Sequence, residues 1–276
     1  MCYDIVTKRK AGTGMIKLTE NDRARILDYV GHEPEFNIFF IGDIENFGVD
    51  SEDVGIYARE TNGQWDSLVL IFQKNCVVYS QNPAYDAGAV AGFLKTQDIG
   101  MISGKADIVA RLIDYFPDRR YRTTTMTRCT CLLTDYGTPE GFEIRRLTPD
   151  DAAAVVDLMM RVDEFNDTYK DRAFSIEKLR RNLACGTLAC GAFKDGALVS
   201  VAQATAGNSQ SAMLVGVATL PGERGKGYAS AVVSAVCRAS FDEGKKYLCL
   251  FYSNPQAGRI YNRIGFLPIG EYALFN

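Results

Sequence analysis

The feature that most narrows what this chain can fold into is an internal repeat. Leu18-Thr19-Glu20-Asn21-Asp22-Arg23-Ala24 aligns with Leu147-Thr148-Pro149-Asp150-Asp151-Ala152-Ala153, so that Leu-Thr-x-x-Asp-x-Ala recurs intact, and the correspondence runs on to Asp28 and Asp157. Each copy follows a short strand-like run, 15–18 and 142–147, and each opens a helix whose Thr can cap free backbone N–H groups. Strand, Thr cap and amphipathic helix form a common opening, so the segments downstream decide the matter. They correspond as well: a loop-rich helical stretch, then strand, glycine turn, strand. In the first half these are 54–60, Thr61-Asn62-Gly63 and 67–73, with a further strand at 76–80; in the second they are 188–193, Asp195-Gly196, 198–206 and 211–219. Asn-Gly and Asp-Gly favour the positive φ of tight hairpin turns. Two similar α/β units are expected, residues 1–136 and 141–276, with the boundary in the Gly- and Thr-containing stretch 134–141.

A chain of 276 residues, 47% hydrophobic and 24% charged, has the composition of an ordinary soluble protein with room for two cores. Its formal charge of −3 argues against a broad basic surface for nucleic acid and suits a small or amine-bearing partner better. The cysteines mostly lie in apolar stretches, where a reduced thiol fills core space. Cys129-Thr130-Cys131 and the pair Cys185 and Cys190 lack the spacing of metal or redox motifs, and the single histidine, His32, completes no cluster, so no metal is expected. Lys8, Arg9 and Lys10 precede no apolar core, and no apolar run reaches membrane-spanning length. A cytoplasmic location without nucleic-acid or membrane partners is the expectation; assembly as a homodimer is left open.

The two copies part after their fourth strand. The first runs through Gln81-Asn82-Pro83-Ala84-Tyr85 straight into a helical 86–95. The second inserts Pro221-Gly222-Glu223-Arg224-Gly225-Lys226-Gly227 between the strand 213–219 and a helix spaced by Ala231, Val232, Ala235, Val236 and Ala239. Unpaired amides at a helix start, beside glycines that let a ligand approach the backbone, form an anion cradle, to which Arg224 and Lys226 add charge. A plain strand-to-helix turn with solvated charges would read the same from the loop alone. Rival phosphate loops fit worse. Gly227 follows Lys226 where a Walker loop needs Ser or Thr, and Ser230 stands where the dinucleotide fingerprint needs its third glycine.

The run Val217-Ala218-Thr219-Leu220-Pro221-Gly222-Glu223-Arg224-Gly225-Lys226-Gly227-Tyr228-Ala229 resembles the coenzyme A loop of the GNAT (GCN5-related N-acetyltransferase) superfamily. Later elements follow in that family's order: strand 247–252, Asn254, a helix 255–263 bearing Ala257 and Tyr261, then Gly265-Phe266. The resemblance covers 142–276, more weakly the first half. It implies an α/β (α+β) fold of two GNAT-like domains, each a mixed, mostly antiparallel sheet flanked by helices, in tandem: a degenerate copy without the loop, then an acetyltransferase domain with one active site per chain. Gly222 departs from the pattern, which often has Gln or Arg there, so one pyrophosphate contact would fall to Arg224.

The resemblance further implies acetyl-CoA as cofactor, its pantetheine arm along strand 213–219 at the backbone of Val217, Ala218 and Thr219. Its pyrophosphate would meet the amides of Arg224, Gly225, Lys226, Gly227, Tyr228 and Ala229, with Asn254, Ala257 and Tyr261 completing the site. Tyr261 takes the place of the family's general acid, though its spacing also suits packing against Phe266. Asn254-Pro255 equally forms a helix N-cap followed by proline. The oxyanion donor would be a backbone N–H near Val217 or Thr219. For the general base, Glu164 leads, with Asp163 and Glu271 as other candidates and a water relay as a further route; Gln203 would orient the acceptor or else face outward. The expected reaction is acetyl transfer to a primary amine of a small molecule or peptide by direct attack. A non-catalytic acyl-CoA-binding regulatory module and an acyltransferase using a longer donor stay open.

Overall fold

The computed structural model describes residues 14–138, 140–165 and 168–276. Lys8, Arg9 and Lys10, Pro139 of the expected boundary, and Asn166 and Asp167 beside Glu164 lie outside the described residues. The chain divides into two compact units, one of residues 1–124 with 271–276 and one of 125–270.

In the first unit, strands β1 (Met15–Lys17), β2 (Val54–Thr61), β3 (Gln64–Phe72) and β4 (Asn75–Tyr79) pair antiparallel in chain order. The β2–β3 turn holds Asn62 and Gly63 at φ of 54° and 78°, as Asn-Gly demands. β5 (Met101–Lys105) joins β4 in parallel, with Asn75 to Val77 beside Met101 to Ser103. The C-terminal residues Tyr272 to Phe275 then close against β5. Helices α1 (Arg23–Val30) and α2 (Ile38–Phe47) bury Ile26, Val30, Phe40 and Ile44 in one core, and α3 (Ala87–Leu94) and α4 (Ala106–Val109) bury Val90, Leu94 and Ile108 in another.

The second unit repeats this plan. β7 (Glu143–Arg146), β8 (Leu188–Lys194), β9 (Ala197–Thr205) and β10 (Ser211–Thr219) pair antiparallel in order, and β11 (Tyr247–Tyr252) joins β10 in parallel. Its last strand precedes it in sequence: residues Thr125 to Cys129 of β6 (Tyr121–Cys129) lie antiparallel to β11. Helices α5 (Ala152–Met159) and α6 (Arg172–Ala184) bury Val155, Val156, Leu179 and Leu183 with Val201. α7 (Tyr228–Asp242) and α8 (Pro255–Ile264) bury Val232, Val236, Tyr261 and Ile264 with Leu248 and Phe266. The expected fold class holds in both units: a mixed, mostly antiparallel sheet flanked by helices.

The repeated Leu-Thr-x-x-Asp is a local folding device. In each copy a short 3-10 turn starts after the Thr, and the Asp carboxylate accepts from the Thr backbone N–H, at 3.0 Å from Thr19 and 2.8 Å from Thr148. In the second copy Arg145 donates to both oxygens of Asp151 at 2.8 and 2.7 Å. That hydrogen bonding, led by the guanidinium, holds the Asp151 carboxyl down at about 2.

In each copy the parallel pair has three paired positions, and the backbone beyond them differs. In the first, Gly104 at φ 151° lies so close to β4 that a Cβ there would run into the Val78 carbonyl oxygen. In the second, pairing of β10 with β11 covers Ser211, Ala212 and Met213 opposite Tyr247, Leu248 and Cys249. β10 meanwhile shifts register against β9 between Val215 and Ala218, an extra residue accommodated by Gly216 at φ 58°. A Cβ on Gly216 would stand 2.9 Å from the Gln203 amide nitrogen and 3.1 Å from the Met159 methyl, and its left-handed φ favours glycine at this bulge.

Candidate active site

Because β10 bends at Gly216 while β11 continues, a cleft of about 660 Å³ opens between Val217, Ala218 and Thr219 on one strand and Phe251 and Tyr252 on the other. Strand edges that no longer pair with each other leave backbone donors and acceptors for an extended amide chain.

The loop residues form the next wall. Gly225 and Gly227 have φ of 80° and 88°, a backbone state that a side chain would strain, and nothing lies within 4 Å of where a Cβ would stand at either. The first intrahelical bond of α7 is from the Ala231 amide to the Gly227 carbonyl at 3.1 Å, so the amides of Tyr228, Ala229 and Ser230 precede any helical acceptor. Gly227 provides no side-chain cap for them. The positive end of the helix and these free donors favour an anion. Tyr228 contributes its backbone alone: its ring is buried against Phe142, with centroids 4.5 Å apart, fixing the helix start.

The loop's charges are tethered. Glu223 accepts from Lys226 at 2.8 Å and from Lys194 at 3.4 Å, and the Lys226 contact leads in holding its carboxyl below the ordinary value. Arg224 donates through Nε to the Thr219 carbonyl at 3.4 Å and pairs with Glu164 at 3.2 Å. Glu164 thus lines the cleft with its carboxylate turned to a cation. Among the described residues no carboxylate lining the cleft is unpaired, since Glu223 is the other.

Tyr261 lies on the buried side of α8 and lines the cleft. Its ring meets Phe266 edge-on, centroids 6.1 Å apart, and tilts against Tyr252 at the same separation. Packing and exposure to the cleft coexist, since the hydroxyl has no hydrogen-bond partner among the described residues while burial pushes its pKa up to about 12. Asn254 caps α8 by accepting from the Gln256 amide at 2.9 Å, which leaves its side-chain N–H donors uncommitted at the cleft edge.

Of the residues singled out in sequence, Glu164, Val217, Ala218, Thr219, Arg224, Gly225, Gly227, Tyr228, Ala229, Asn254, Ala257 and Tyr261 line this one cleft. Lys226 does not: it is turned to Glu223. Asp163 is exposed and outside the lining, and Glu271 falls in the other unit. Gln203 faces inward, 5% exposed beneath Gly216. Sequence reasoning missed the bulge at Gly216 and the lining residues Tyr136, Phe251, Ile260 and Arg263. A glycine inside an otherwise regular strand was the available signal for the first. Among the described residues no helix is long and apolar enough to cross a membrane.

Residues 153–266 match the model of the acetyltransferase (GNAT) family. No curated protein matches the sequence. Among solved structures, a Drosophila protein superimposes with a TM-score of 0.70 at 17% identity, covering 96% of this chain and 98% of that one. A GCN5-related N-acetyltransferase from Sphaerobacter thermophilus gives 0.62 at 15% identity, with 96% of each chain covered. A tandem GNAT protein from the clavulanic acid biosynthesis pathway gives 0.58 at 15% identity, covering 95% and 97%. At such identities these likenesses establish the fold alone.

Proposed function

We propose, on the match of residues 153–266 to the model of the acetyltransferase (GNAT) family, that this protein transfers an acetyl group from acetyl-CoA to a primary amine of a small molecule or peptide, by direct attack and at one site per chain. The observation that carries the reading is the convergence, in a single cleft, of a splayed strand pair, the Gly225 to Ser230 amides and the unpartnered Tyr261 hydroxyl. Each suits a different part of the donor: an extended amide chain, a diphosphate and a sulfur. The open space above Gly225 and Gly227 admits a group that a side chain would displace.

When bound, the donor supplies a thioester carbonyl for attack and a thiolate to depart. The chain's own residues do the rest. Backbone at Val217 and Thr219 holds the arm in extended register, and an N–H at the bulge faces the carbonyl oxygen. The amides of Gly225 to Ser230 bind the diphosphate, and Arg224 exchanges Glu164 for it. Tyr261 donates its proton toward sulfur; a phenol at about 12 is fully protonated at neutral pH and stays so until the leaving group needs it. The amine loses its proton to Glu164, once released by Arg224, or to water.

The test is acceptor-dependent thiol release from acetyl-CoA over a broad panel of amines, preceded by the rise in melting temperature that the donor alone should cause. One observation favours a second reading. With both cleft carboxylates in ion pairs, the site would bind acyl-CoA without deprotonating an acceptor, as a regulatory module does. Donor binding with no acceptor-dependent release across the panel would select that reading.

A further inference from the structure

Gln203 is a costly residue where it stands. It pairs across the sheet with Val215, the last register before the bulge, and lies on the same face of β9 as Val201, which packs with α5 and α6. An apolar side chain would fill that core without a polar group, whereas the Gln203 amide is 5% exposed and needs partners inside. It stands beneath the bulge, where a Cβ on Gly216 would meet its nitrogen at 2.9 Å, and it donates to the Tyr169 hydroxyl. Burial pushes the Tyr169 phenol above its ordinary value, so at neutral pH an uncharged hydroxyl takes this bond. Neither residue lines the cleft.

Tyr169 is tied to residues that do line it. Its amide donates to the Phe165 carbonyl at 3.3 Å, the Phe165 amide to Val162 at 2.9 Å and the Val162 amide to Met159 at 3.1 Å. Phe165 and Val162 face the cleft, and Met159 closes the circuit, its methyl 3.1 Å from where a Cβ on Gly216 would stand. The bulge and this apolar wall are thus joined twice, through Met159 and through Gln203 with Tyr169. The wall belongs to neither the loop nor the strands assigned to the donor, which leaves it to the acceptor. Resting on the acetyl-transfer reading, we propose that Tyr169 and Gln203 are positioning residues for the amine: their hydrogen bond fixes the spacing between the bulge and the Val162 and Phe165 wall, against which the acceptor's apolar body packs. Attack needs the nitrogen within about 3–3.5 Å of the carbonyl carbon, and a displacement of about 1 Å costs about a hundredfold in rate. A buried hydrogen bond behind the wall guards against such slippage.

The experiment compares Tyr169→Phe, Gln203→Met and the double variant on the full chain, by calorimetry with acetyl-CoA and by steady-state kinetics with the best amine of the panel. Acetyl-CoA affinity should stay within about twofold of wild type in all three, while each single variant raises the acceptor KM about tenfold. The double variant should raise it no further, because either substitution already breaks the one bond. Tyr169→Phe keeps the ring's packing, so it reports even if Gln203→Met folds poorly. An unchanged acceptor KM in Tyr169→Phe overturns the proposal. An equal loss of acetyl-CoA affinity also overturns it, since the pair would then serve the donor's side of the bulge. Additive KM effects would mean that the two residues act separately, and the shared strut would be wrong. A wild type that releases no thiol with any amine removes the acceptor altogether, and then the transfer reading and this proposal fall together.

Discussion

The Glu164 carboxylate lies 3.2 Å from the Arg224 guanidinium, joining the segment after α5 to the loop before α7 across the mouth of the cleft. Both side chains are more than half exposed, 57% and 51%, so the pair opens at little cost. On the acyl-CoA reading proposed above, it would serve as an exchangeable cover for the cation that meets the diphosphate.

Glu164→Gln frees Arg224 and should tighten coenzyme A by a few-fold, most clearly at low salt. The same variant should lower kcat about tenfold or more if Glu164 also takes the amine proton. Calorimetry and steady-state kinetics on one preparation separate these effects. Unchanged kcat with tighter binding would leave Glu164 as a cover alone.

Tyr261→Phe keeps the ring that packs on Phe266 and removes only the unpartnered hydroxyl. Turnover should fall about 10²- to 10⁴-fold with donor affinity within about threefold and the fold intact. Because burial pushes Tyr261 up to about 12, its acid form persists through the ordinary assay range, so any alkaline fall in rate below pH 10 belongs to another group.

Gly227→Ala places a side chain on a residue at φ 88° and should destabilise by about 1–2 kcal/mol while abolishing the thermal shift caused by acetyl-CoA. Gly222→Ala is the matched control. That residue has no left-handed φ and no neighbour within 4 Å of a new Cβ, so stability and binding should both hold.

Asp151→Asn tests the cap. The folded-state pKa of about 2 lies below the ordinary 3.8, so the carboxylate's contribution is fully present above that ordinary value and is lost as the pH falls towards 2. The expected loss at pH 7 is about 1–2 kcal/mol, reduced from the full shift because Arg145 is 36% exposed. Denaturant melts should show the gap between variant and wild type closing as the solution is acidified.

Much of this was written locally. The repeated Leu-Thr-x-x-Asp announces two capped helix starts because the Thr and Asp that bond to each other lie three residues apart. The glycine loop announces a helix start with left-handed glycines and open amides because its conformation is its own. Contacts that span distant segments were silent. Nothing near Glu164 in sequence names Arg224 as its partner, and Tyr136 sits in what reads as a linker. Strand Tyr121–Cys129 also escaped notice, being rich in Thr and Arg with little apolar alternation. Thr127 is nevertheless fully buried, and its hydroxyl donates to the Leu250 carbonyl at 3.1 Å.

The sixth strand of each unit comes from beyond its own run of sequence: Thr125 to Cys129 complete the cleft-bearing unit, and Tyr272 to Phe275 complete the other. A gene cut at the boundary that the repeat suggests would leave each product lacking an outer strand and β11 with an open, aggregation-prone edge. A minimal fragment that carries the whole cleft-bearing unit would have to start at or before Thr125, ahead of the boundary that the repeat suggests.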